Sequence, residues 1–246
     1  RNWSDDSYKT YSGPQYKTPM LDIHEGDILH HRITVKLSSA GPVERHKKQQ
    51  NFQSAFPGLG YGFPLEEKAL AKSIETIPCD HLSVDIDLQN KSWREGFTAI
   101  DKLPLRLTVR FSDFSADEAN DLTSFIDSSN ITVKSIMVVS REGTPPPHEG
   151  YHTVYHQLKK TSPKIAVGFG SASWFAGVNE SINDEILCDF TGFVVMPQVH
   201  QTDERSIMEN LLSQHTILET LRKQTGDKPA NIHLLFSRVD DARLHT

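Results

Sequence analysis

Long apolar runs are missing from this 246-residue chain. None approaches the ~20 residues that a membrane-spanning helix needs. Positive charge is in short supply. Lys and Arg total 26 against 32 Asp and Glu, a formal net charge of −6, and no basic stripe is visible. That balance argues against nucleic acid or any other polyanionic partner. Cysteine is scarce too. Cys79 and Cys188 lie far apart, each followed by an acid (Asp80, Asp189) beside an expected strand. They read as small core or element-end residues in a reducing compartment, not as a disulfide. No His-Glu-x-x-His or paired-cysteine spacing is present, so neither a metal nor a cofactor is expected. An initiating Met is also absent: Arg1 opens the chain inside a patterned polar-aromatic segment. The true N-terminus is therefore expected upstream, and the lack of a leader carries no weight.

What remains is a somewhat polar globular composition, 37% hydrophobic and 24% charged, with room for one large domain or one domain plus a fragment. The first part reads as β. A strand end and turn fall at Asp22–Asp27, and Ile33, Val35 and Leu37 then alternate with polar residues, the period of a half-buried antiparallel strand. Ser38–Gln53 is polar, with Arg45, His46, Lys47 and Lys48 clustered, and reads as a linker or surface loop. The expected organisation is residues 1–40 as the end of a β-domain, 41–54 as a linker, and 55–246 as an incomplete barrel.

From residue 57 the pattern changes. Strands are expected at Leu59–Phe63, His81–Leu88, Leu105–Phe111, Val133–Val139, Lys164–Phe169, Phe190–Val199 and Asn231–Phe236. Helices are expected at Glu66–Ile77, Trp93–Leu103, from Ser115 (a good N-cap) through Ile126, at Tyr151–Lys160, and as one long amphipathic element over Ser206–Gln224. Strand and helix alternate at roughly the 30-residue rhythm of a βαβ unit. No Gly-x-Gly-x-x-Gly loop follows the first strand, which disfavours an open doubly wound sheet. The fold class is α/β: a (β/α)8 TIM-barrel-like domain with seven of eight strands present, preceded by the end of a β-sandwich-like domain.

In such barrels the chemistry gathers at the C-terminal strand ends. There the sequence offers Asp85 and Asp87, Arg110, Glu142, Asn179, Gln198 and His200 with Asp203 behind, and Arg238. Carboxylate, imidazole and guanidinium at one mouth suit acid–base hydrolysis of a hydroxyl-rich substrate. Each residue also has a plain structural role open to it. Arg110 is a natural ion-pair partner for an inward aspartate, Asp203 a helix cap, Asn179 a loop or cap residue, and Glu142 an exposed loop acid before Pro145-Pro146-Pro147.

Arg1-Asn2-Trp3-Ser4-Asp5-Asp6-Ser7-Tyr8-Lys9-Thr10-Tyr11 resembles the RNW-(S/T)-D-x-S-(Y/F)-K-T-Y segment of bacterial D-apionate lactonases, where it closes an N-terminal β-domain. Three later stretches agree with that resemblance: Gly168 through Trp174-Phe175 to Asn179, Pro197-Gln198-Val199-His200-x-x-Asp203, and Leu234 to Arg238. Departures exist. The fifth-strand loop lacks a Gly-Gly-Thr, Glu180 stands where the family has Arg, and Phe236-Ser237 replaces a Thr-Leu pattern. They bear on the substrate more than on the reaction class.

The resemblance implies a hydrolase that opens a branched-sugar aldonolactone to its free acid in bacterial cytoplasmic apiose catabolism. It also implies a chain lacking most of the β-domain, the eighth strand and any C-terminal β-domain. In that reading His200 or Asp85 is the base, Arg110 or Arg238 stabilises the oxyanion, Glu142 protonates the leaving oxygen, and Asn179 and Gln198 hold hydroxyls, with Asp87 and Asp203 as further substrate contacts. A barrel glycoside hydrolase and a non-catalytic carbohydrate-binding barrel are the alternatives.

Overall fold

The computed structural model describes residues 24–28, 58–67, 77–100, 103–183, 185–197, 203–226 and 228–234. The expected β-domain end and linker lie outside these, save for a turn at Glu25-Gly26 closed by Asp27 N–H on the His24 carbonyl (3.1 Å). Seven strands form one sheet: β1 (Gly60–Gly62), β2 (His81–Asp87), β3 (Leu105–Phe111), β4 (Val133–Ser140), β5 (Ala166–Trp174), β6 (Phe190–Val195) and β7 (Ala230–Leu234). Each is parallel to its neighbours and they follow strict chain order. A doubly wound sheet would reverse its order midway. This sheet never does, and its curl is that of an open TIM-type barrel.

Between the strands run α1 (Ala116–Ser128), α2 (His148–Thr161), α3 (Phe175–Ser181), α4 (Glu204–Leu212) and α5 (Gln214–Thr225), with a 3-10 helix at Glu95–Ala99 after β2. Ser115 starts α1 as the sequence suggests, its hydroxyl accepting from Glu118 N–H (3.2 Å). Ala119, Leu122 and Ile126 then return to one buried face.

Strand parity splits the side chains into two sets. Leu82, Val84, Ile86, Leu107, Val109, Ile136, Val138, Val167, Phe169, Phe193 and Val195 face the helices and join Phe97, Leu122, Val154 and Leu158 in the main core. The other parity faces inward in layers read directly from the register. One layer runs Ser83, Arg106, Ser135, Ala166; the next runs Asp85, Thr108, Met137, Gly168, Phe190; the uppermost holds Asp87, Arg110 and Val139. Met137, Val139 and Phe190 form a second, smaller apolar cluster on this inner side.

Glycines make room for it. A Cβ on Gly168 would strike the Phe190 ring, and one on Gly170 would meet the Gly192 carbonyl and Met137 Sδ. Gly170→Ala is therefore expected to destabilise the domain by about 1–3 kcal/mol, because backbone as well as thioether must shift. A urea midpoint lowered at unchanged slope would register this; an unchanged midpoint would mean the sheet gives way freely.

Four expectations need correction. The helix over Trp93–Leu103 is a five-residue 3-10 helix: Gly96 packs directly on Leu65, and Trp93, Phe97 and Phe125 lock their rings together instead of tracking an α-helical face. The long helix over Ser206–Gln224 is two helices, α4 and α5. At the junction the Ser213 hydroxyl donates back to the Asn210 carbonyl (2.6 Å), competing with the helical ladder. The strand from Phe190 ends at Val195, with residues 198–200 outside the described set. And β5 runs on to Trp174, after which α3, absent from the sequence reading, begins at once.

Candidate active site

Asp85 and Arg110 meet at the C-terminal ends of β2 and β3. Both are inward-facing on adjacent strands, so the sheet itself sets their approach. Arg110 Nε donates to Asp85 Oδ1 (2.8 Å) and Nη2 to Oδ2 (2.7 Å), a two-point fork. Hydrogen bonding to Asp85 raises the guanidinium pKa further, against the opposing effect of partial burial. Arg110 is a permanent cation here.

Its third contact explains the loop that follows. Nη1 donates to the Arg141 carbonyl (3.1 Å), at the tip of a tight turn after β4. Ser140 N–H donates to the Thr144 carbonyl (2.9 Å), Gly143 N–H to the Ser140 carbonyl (2.9 Å), and the two hydroxyls of Ser140 and Thr144 sit 2.7 Å apart. Gly143 takes φ +81°, and a Cβ there would lie 2.8 Å from Arg110 Nη1 and 3.2 Å from Ala172 Cβ. Only glycine leaves the guanidinium its place. The Gly143 carbonyl in turn accepts from Ala172 N–H (2.8 Å) and Ser171 Oγ (3.0 Å), so the ends of β3, β4 and β5 are stitched together.

Glu142 sits exposed on this turn, beside Arg141. Asp87 accepts from Gln89 N–H (2.9 Å) and lies 3.7 Å from Arg141 Nε. Asp85, Asp87 and Arg110 line a cleft of about 320 Å³ together with Leu65, Glu66, Asn90, Ser92, Trp93, Glu95 and Gly96. Thus four expected site residues, Asp85, Asp87, Arg110 and Glu142, gather at one mouth.

The others are placed elsewhere or outside the described residues. Asn179 is buried within α3, where its carbonyl accepts from Gln224 Nε2 near the end of α5 (3.4 Å). Among the described residues its side-chain amide has no hydrogen-bond partner. Asp203 caps α4, accepting from Ser206 N–H (3.0 Å), and its hydrogen bonds from Ser206 hold the carboxyl below the ordinary range. Gln198, His200 and Arg238 lie outside the described residues.

Gly143, Asn90 and Ser92 are the site features the sequence did not single out. For Gly143 the one available cue was a glycine three residues beyond the end of β4. Among the described residues no three His, Cys, Asp or Glu side chains are grouped to hold a metal ion, and no helix is long and apolar enough to cross a membrane.

Comparison with known proteins finds likenesses of three kinds. The family model described as "D-apionate lactonase, TIM barrel domain" matches residues 64–235. A D-apionate lactonase of Brucella anthropi is 23% identical over 261 residues, covering 94% of this chain and 43% of its own length. The chain therefore spans less than half of that relative. Among solved structures, an active-site mutant of Rhizomucor miehei beta-1,3-glucanosyltransferase in complex with laminaritriose is similar at a TM-score of 0.47 and 11% identity, over 71% of this chain and 70% of that one.

Proposed function

Because the chain belongs to the D-apionate lactonase TIM barrel domain family, we propose that it carries the barrel of an enzyme that hydrolyses a sugar-derived lactone, of the D-apionolactone kind, to its free acid in carbohydrate catabolism. The observation that carries the reading is the forked Asp85–Arg110 pair, set at the C-terminal mouth against a polar cleft. In the same reading residues 1–40 end a preceding β-domain and 41–54 link it to the barrel.

Lactone opening adds a water oxygen to the carbonyl carbon, passes through a tetrahedral oxyanion, then breaks the ring C–O bond as a proton reaches the departing oxygen. Arg110 suits the oxyanion. Three of its N–H groups are committed to Asp85 and the Arg141 carbonyl, and a guanidinium has five. Asp85 spends both oxygens on that fork, which favours it as the group that orients Arg110 and leaves the base role to His200. Glu142, on the neighbouring turn, would serve the ring oxygen as acid in its protonated form. Asp87 and Asn90, with Gln198, offer partners for substrate hydroxyls, and a sugar lactone is the partner the cleft's polar lining suits.

The test is proton release from D-apionolactone in a pH-stat with the intact protein, where turnover of about 1–10³ s⁻¹ is the ordinary range for enzymes. His200→Ala should lower that turnover by about 10²-fold. Cleavage of aryl glycosides with no lactone hydrolysis would move the barrel to glycoside chemistry.

A further inference from the structure

The chain has three tryptophans. Trp93 is 3% exposed in the main core, whereas Trp174 is 46% exposed. Trp174 is the last residue of β5, and the register says which way it faces. Gly170 pairs with Gly192, and the next pairing is Trp174 with Val194, so four steps along β5 match two along β6. This is a bulge at a strand end, a device that re-aims a side chain. Gly192 belongs to the inner face, where a Cβ would meet Met137 Sδ. Val194, two residues on, shares that face, and so does Trp174 beside it.

The same segment is fixed laterally. Ala172 N–H and Ser171 Oγ both bond the Gly143 carbonyl, and Gly143 abuts Arg110. Trp174 and Arg110 thus lie on strands two apart, roughly 10 Å in the lateral direction, with Trp174 farther out along its strand than Gly170, which the register sets level with Arg110. Trp174 stands at the N-cap of α3, and its side chain makes no cap bond there. Of the other exposed apolar residues among the described ones, Leu59, Ile77 and Leu187 precede their strands at the opposite end of the barrel, Tyr61 and Ile232 lie within β1 and β7, Met208 lies on α4 and Ile28 follows the Glu25-Gly26 turn. Trp174 is flanked by half-buried Ala172 and Ser173, too small to extend an apolar patch. An exposed aromatic at a strand's C-terminal end, with no exposed apolar neighbour in sequence to widen it, matches a small amphipathic ring and not a protein surface.

We infer that Trp174 is a stacking platform for the C–H face of a polyhydroxylated ring, holding it while Arg110 addresses the carbonyl. This rests on the lactonase reading for the identity of the ring. Trp174 is a specificity-determining residue that binds and does no proton transfer.

The experiment uses the intact enzyme, D-apionolactone as probe, and the variants Trp174→Ala and Trp174→Phe. The alanine variant should raise KM about tenfold with kcat within about threefold, and phenylalanine, keeping a ring face, should stay within about threefold on both. Alongside, the emission difference between wild type and Trp174→Phe isolates this indole, and the lactone should quench it. An unchanged KM in the alanine variant, or equal losses in both variants, overturns the platform while leaving the lactonase reading intact. Quenching without hydrolysis upholds the platform and overturns the lactonase reading. Neither quenching nor hydrolysis overturns both.

Discussion

Arg110→Ala in the intact enzyme is expected to lower kcat by about 10²–10³-fold, the usual consequence of removing one oxyanion donor. The side chain delivers a fixed charge because Asp85 and the Arg141 carbonyl hold three of its N–H groups in place. Arg110→Lys should recover little. An ammonium is a single point charge and cannot hold the two-point fork and reach a developing alkoxide together. Folding is a separable effect here. The Asp85 side chain keeps 48% of its surface in solvent, so the carboxylate left behind is hydrated and the stability change should be small. Single-turnover rates together with an unchanged melting curve would therefore read the chemistry. A kcat within threefold of wild type would reduce Arg110 to a structural partner of Asp85.

The largest effect on stability is expected from Phe169→Ala, at about 3–5 kcal/mol. Phe169 is fully buried on the outer face of β5. Its ring stands edge-on to Tyr151 at 5.2 Å and 89°, with His148 at 6.1 Å, so it pins the first turn of α2 to the sheet. Truncation leaves a void beside a rigid phenol, in a layer that cannot collapse without moving a helix. Since domains are stable by about 5–15 kcal/mol, this one change should remove a large share of the margin. Chemical unfolding monitored by circular dichroism measures it. A loss under about 1 kcal/mol would mean that α2 does not rest on this ring.

Much of this architecture was written in local periodicity. The alternation Val84, Asp85, Ile86, Asp87 sends two acids to one face and two aliphatics to the other, and Leu107, Thr108, Val109, Arg110 does the same one strand along. Parity alone was enough to expect an inward aspartate to meet Arg110, but not to choose Asp85 over Asp87, which the register sets opposite Arg110. The end of β5 was harder. Ser171, Ala172 and Ser173 have the small polar look of a loop; they are held in the strand by the Gly143 carbonyl, which accepts from Ser171 and Ala172 across 28 and 29 residues, while Ser173 N–H donates to Ser171 Oγ. The seven-residue α3 has no capping side chain and carries Gly177 in its middle, so it offered no start signal. Asn179 was read as a mouth residue because it follows a strand. Its place in α3, with its carbonyl against Gln224, depends on how tightly α3 and α5 pack, which no local pattern encodes. The break at Ser213 was hidden for a related reason: apolar spacing continues through it while the backbone does not.

The inner layer running from Asp85 and Thr108 through Met137 and Gly168 to Phe190 changes character halfway along. On the β2–β3 side it presents ions and hydroxyls; on the β4–β6 side it presents a thioether and a phenyl ring. Asp85 keeps about half of its side chain in solvent whereas Met137 and Phe190 are buried, so a ligand reaches the charged half of the layer and the apolar half stays as packed barrel interior.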